Sequence, residues 1–116
     1  MKSLRILVAL ALVSLVPSEA GADSGVRRAP CGYQQIATLT TSTTLTIPPA
    51  CGGNPTLAVI TPEAQAVRYR DDGTDPTAAI GMPMAVGVTL EYQGSISKIE
   101  FIEQTAGAKL NVSYYR

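Results

Sequence analysis

The sequence predicts an all-β chain: one small antiparallel β-sandwich of about seven strands, jelly-roll-like or Ig-like. Three observations carry that expectation. Apolar and polar residues alternate at period two in run after run, and no window beyond the N-terminus sustains a helical period. Gly, Pro, Asn and Asp break the runs at intervals of roughly 8 to 12 residues. No segment supplies the crossover helices that a parallel sheet requires. A length of 116 residues sets a single domain.

The elements follow in order. "MKSLRILVALALVSLVPSEAGADS" has a basic start at Lys2 and Arg5, then an apolar run from Ile6 to Val16, closed by Pro17. That run of about 11 residues fits a signal peptide with a signal-type helix and is short for a membrane span. Small residues at Ser18-Glu19-Ala20 and Ala20-Gly21-Ala22 offer cleavage sites. Residues 1–22 are therefore expected to be a signal peptide, 23–30 a flexible arm and 31–116 the sandwich domain. No stable membrane span is expected after cleavage.

"YQQIATLT" and "TTLTIPP" read as a pair of strands, because Leu45 and Ile47 alternate with Thr. "TLAVIT" is a short apolar strand, and "EAQAVRYR" turns Val67 and Tyr69 to one face and Arg68 and Arg70 to the other. "MAVGVTLEY" places Val86, Val88, Leu90 and Tyr92 on a single face. "SKIEFIE" turns Ile99 and Phe101 inward, and "KLNVSYY" turns Leu110, Val112 and Tyr114 inward.

Composition excludes whole classes of function. Formal net charge is zero and the only adjacent basic pair is Arg27–Arg28, so the chain lacks the basic face that nucleic acid demands. There is no His, which removes every Ser-His-Asp or Cys-His arrangement. No catalytic, cofactor-binding or metal-binding residue is assigned, and the protein is expected not to be an enzyme.

Four groups of residues stand out. Cys31 and Cys51 are the only cysteines, and each adjoins Gly. In an exported protein they form a disulfide that closes a loop of roughly 20 residues and stabilises the domain by about 3 kcal/mol. Asp71, Asp72, Gly73, Asp75 and Pro76 resemble a calcium loop in spacing but lack its closing Glu. Turn chemistry accounts for them: Asp accepts backbone hydrogen bonds, Gly admits positive φ and Pro fixes φ. Arg68, Tyr69 and Arg70 form a possible interface, since Arg and Tyr are enriched there. "NVS" at Asn111 matches a glycosylation sequon but falls within a strand, and Pro55 disqualifies "NPT".

One resemblance covers roughly Thr61 to Tyr115. "AVRYRDDGTDPTAAIGMPM" followed by "FIEQTAGAKLNVSYY" resembles small proteins encoded by tailed phages and prophages of proteobacteria. Those chains share an "AVRYRDDGT-PT-x-x-G-M-P" block and a closing "F-I-(E/Q)-Q-x-A-G-A-x-L-N-V-x-Y-Y". The matching positions include Arg68 to Gly73, then Gly81, Met82 and Pro83, then Phe101, Ile102, Gln104, Asn111 and Tyr114. The resemblance implies a β-sandwich virion or virion-associated component, in head decoration, neck or tail, that associates with itself or a larger assembly. The signal peptide and disulfide imply an alternative: a secreted or periplasmic module that binds a glycan or a protein. A small inhibitor is a third possibility.

Overall fold

A computed structural model describes residues 27–116. The expected signal peptide, with its helix, lies outside the described residues. The rest is all-β: β1 (Pro30–Ile36), β2 (Thr43–Thr44), β3 (Leu57–Glu63), β4 (Val67–Arg70), β5 (Met82–Met84), β6 (Leu90–Tyr92), β7 (Glu100–Glu103) and β8 (Lys109–Tyr115), with a 3-10 turn at Pro49–Cys51. The strands form two four-stranded sheets, ordered β1-β8-β3-β6 and β2-β7-β4-β5.

All pairings are antiparallel. The first strand pairs with the last, the second with the seventh, the third with the sixth and the fourth with the fifth. The chain is thus one long hairpin whose tip is the link between β4 and β5. Rolling that hairpin lays β3 against β8 and β4 against β7. Only the β4–β5 link returns the chain to its own sheet; every other link between successive strands crosses to the opposite sheet.

The inner faces make one core. Ala58, Ile60, Leu110, Val112 and Tyr114 from the first sheet meet Val67, Met84 and Phe101 from the second, with Leu39, Leu45, Ile96 and Ile99 supplied by the crossings. The period-two pattern is clearest in β8, where Leu110, Val112 and Tyr114 are buried and their neighbours are not. Tyr114 is wholly enclosed, and its hydroxyl donates to Gln34 Oε1 at 2.7 Å. That same oxygen accepts from Thr46 N at 3.2 Å, so the crossing after β2 is tied to the centre of the first sheet. A buried hydroxyl without such a partner is destabilising.

Two local irregularities have physical causes. The β1–β8 register shifts between Pro30 and Gly32. Strict alternation from Tyr33 would turn Cys31 outward; the bulge returns it to the buried side. There it bonds to Cys51 with the Cα atoms 4.9 Å apart. Pro62 lies in an interior strand, where proline is normally excluded. Its carbonyl accepts from Gly87 N at 3.0 Å, so its backbone faces the β6 side, while β6 pairs only with Ala58 to Ile60. The missing N–H therefore falls beyond the end of the partner strand.

Three sequence expectations are corrected. "YQQIATLT" and "TTLTIPP" do not pair with each other: β1 joins β8 and β2 joins β7, in different sheets. Thr-rich alternation specifies extended chain without specifying a partner. "MAVGVTLEY" is not one strand, and Val86 and Val88 do not face the core. The chain must cross between sheets there, which it does through a turn in which Val88 N donates to Ala85 O at 3.1 Å and Gly87 takes φ 80°. Finally, ordered pairing begins before Cys31: Ala29 N donates to Arg116 O at 2.9 Å, and Arg116 N donates back to Ala29 O at 3.0 Å.

Candidate functional site

The tip of the rolled hairpin carries the charged stretch from Arg68 to Pro76. Arg68 lies on the outer face of β4, and the tip folds back over it. Its Nε donates to Ala78 O at 3.1 Å and its Nη1 to Gly81 O at 2.8 Å. With the Gln104 amide oxygen facing Arg68, that oxygen accepts from Nη2 at 3.0 Å and Nε at 2.8 Å. The planar guanidinium fork suits this use, in which one cation satisfies several carbonyl oxygens. Gly81 permits the close approach. A Cβ there would sit 3.1 Å from both Arg68 Cβ and Tyr69 O, on a backbone at φ 142°.

Arg70 is paired within the tip as well. Its Nε donates to Asp72 Oδ1 at 3.0 Å, and its Nη2 forms an ion pair with Asp72 Oδ2. The hydrogen bond from Arg70 holds the Asp72 carboxyl below its ordinary value. Asp72 Oδ1 also accepts from Thr74 N at 3.3 Å, Gly73 takes φ 85° and Pro76 is buried. Asp71 accepts from the Tyr92 hydroxyl at 3.0 Å, which ties the tip to β6 in the opposite sheet. Partial burial, followed by that carboxylate, pushes the Tyr92 hydroxyl up. Burial and the neighbouring Asp75 carboxyl likewise push Glu100 up.

The residues singled out at the tip are therefore brought together and matched to one another. Arg68 and Arg70 direct donors to their own chain. Tyr69 packs against the core, its ring centroid 5.9 Å from that of Phe101. Among the described residues, no cluster of three or more His, Cys, Asp or Glu is placed to hold a metal ion, and no pocket opens.

Two other surfaces were not singled out by the sequence reading. The outer face of the first sheet carries a polar cluster. The Tyr33 hydroxyl donates to Asn111 Oδ1 at 2.6 Å, Gln35 Nε2 donates to the same atom at 3.1 Å, and Gln35 Nε2 reaches Glu63 Oε2 at 3.3 Å. Asn111 Oδ1 thus accepts from two neighbours on one strand, and the Tyr33 ring stands exposed beside it.

The second surface is apolar. Ile80 is 59% exposed, Met82 59%, Val86 51% and Val88 50%. Apart from Tyr33, these are the large hydrophobic residues left exposed among the described residues. They fall within nine residues of sequence, along one flank of the sandwich. β5 is the edge of one sheet and β6 the edge of the other, and residues 85–89 join them across that flank. A sequence signal existed: no charged residue occurs from Pro76 to Leu90. Regular alternation in "MAVGVTLEY" disguised it as core. No family model, curated protein or solved structure matches the chain.

Proposed function

We propose that this protein is a non-catalytic structural and interaction module, an accessory component of a phage-type particle in head decoration, neck or tail. The observation that carries the reading is the apolar flank from Ile80 to Val88. Isolated surface hydrophobics are ordinary, but four that fall within nine residues of sequence, in and beside the edge strand β5 and the crossing after it, favour a protein contact. The possible interface at Arg68, Tyr69 and Arg70 moves accordingly: these residues support the tip, and the flank beside it makes the contact.

The strand order supports a jelly-roll assignment over the Ig-like alternative. Orders β1-β8-β3-β6 and β2-β7-β4-β5 are those of an eight-stranded hairpin rolled into two Greek keys. Capsid and lectin domains both use that architecture, so it enters as analogy, and the exposed apolar residues favour the assembly reading.

A second reading rests on the Cys31–Cys51 disulfide, which fits an oxidising compartment. In it the chain is exported to the periplasm or beyond and binds a glycan or protein, with the Tyr33–Asn111 face as the contact. One experiment separates the two. Particles are purified after induction of a strain carrying the gene, and mass spectrometry follows the chain in particle, periplasm and medium. The particle reading predicts the chain at fixed stoichiometry in particles, and its loss from them in Met82→Glu. A chain recovered only as free protein starting at Asp23 would replace that reading with the exported one.

A further inference from the structure

We propose that the outer face of the first sheet, around Tyr33, Gln35 and Asn111, binds an uncharged glycan. The inference rests on the second reading, which takes this face as the contact, and commits it to a sugar.

The amides are oriented by their own partners. A carboxylate only accepts, so Gln35 turns Nε2 to Glu63 Oε2, at 3.3 Å. The other hydrogen of Nε2 goes to Asn111 Oδ1 at 3.1 Å, which turns the Asn111 nitrogen the opposite way. The Tyr33 hydroxyl donates to that same Oδ1 at 2.6 Å. Two groups are left over: Gln35 Oε1, an acceptor, and Asn111 Nδ2, a donor. Neither hydrogen-bonds to another of the described residues. Gln35 and Asn111 face each other across β1 and β8, so the two groups sit side by side. A neutral acceptor beside a neutral donor matches adjacent sugar hydroxyls, each of which donates and accepts.

The aromatic ring supplies an apolar platform. Tyr33 is 64% exposed, and its tethered hydroxyl holds the ring next to the amides. Ser113, opposite Tyr33 in the ladder, is too small to cover it. Tyr115, two positions further along β8, shares this face. The C–H face of a pyranose packs on such rings. A protein partner is less well matched: among the described residues of this sheet, Tyr33 is the only large hydrophobic left strongly exposed, and a protein contact needs a wider apolar centre. The charges lie away from the ring. Glu63 and Lys109 are cross-strand partners of opposite sign at one end, and Glu91 stands on β6, three strands across from Tyr33. Ring and free amide groups carry no charge, which favours a neutral sugar over an acidic one.

No pocket opens among the described residues, so single-site binding is weak, with a dissociation constant in the high micromolar or millimolar range. The disulfide-bonded chain is screened on an array of neutral and acidic oligosaccharides, and those that bind are titrated by calorimetry. Neutral hexose or N-acetylhexosamine oligomers are expected to bind. Tyr33→Ala and Asn111→Ala each weaken that binding at least about tenfold, and Tyr33→Phe, which keeps the ring, weakens it less. Met82→Glu on the flank leaves it unchanged, and thermal melting verifies that the variants fold. Failure of every neutral glycan overturns the proposal, as does binding confined to acidic glycans or binding that survives Tyr33→Ala. A protein crosslinked through position 33 of a chain that binds no glycan would overturn the sugar and keep the exported reading. A chain that binds glycan yet occurs only in particles would keep the sugar and sink export.

Discussion

Arg68 and Arg70 look equivalent in sequence, two residues apart on one strand face, yet they do different work. Arg68 is half-buried beneath the tip and bonds to Ala78 and Gly81 carbonyls, whereas Arg70 reaches the exposed Asp72. Arg68→Ser should cost about 1–3 kcal/mol because it leaves carbonyls without their donor. Arg70→Ser should change stability by less than about 1 kcal/mol, as exposed ion pairs do. Chemical denaturation of both variants checks the contrast. Tyr114 gives a pH prediction. Burial pushes its hydroxyl from an ordinary value of 10.0 up to about 12. The folded state favours the protonated form, so the contribution to stability is complete below the unfolded value. It is lost as pH rises through the folded value. Unfolding curves taken between about pH 9 and pH 12 should show falling stability, and Tyr114→Phe should flatten part of that slope. An unchanged slope would mean that the hydroxyl titrates alike in both states.

At the scale of elements, the strands whose faces differ sharply were legible. β8 alternates without exception, and both Cys residues and the Asp-Gly-Pro tip were found from composition and spacing. What sequence did not contain was pairing. β2 is only two residues long, and its Thr-rich pattern has no strong inner face to fix a partner. The crossing at 85–89 has the sequence pattern of a strand because Val at every second position is the signature of a buried face, and nothing local says that the chain leaves the sheet there. The disulfide is an element-scale device. It holds the 3-10 turn to the bulged start of β1, across a stretch that visits the other sheet and returns. Replacing both Cys by Ser should lower stability by about 3 kcal/mol. The tip and flank lie elsewhere in the chain and should keep their conformation. Thermal melting with and without reductant measures the first, and the near-ultraviolet tyrosine signal monitors the second.

At the scale of the whole molecule, the long hairpin pairs Pro30 with Tyr115, so most of the fold depends on distant contacts. The same rolling that encloses Tyr114, Phe101 and Ile60 leaves β5 and β6 as neighbouring edges and sets the uncharged crossing between them. Function on this account resides in that flank, with the charged tip acting as its support. Amide hydrogen exchange of the free chain and of the chain held in purified particles tests this most directly. The account predicts that particle binding slows exchange in residues 80–88. Protection that appears instead around Tyr33 and Asn111, or none in residues 80–88, would contradict it.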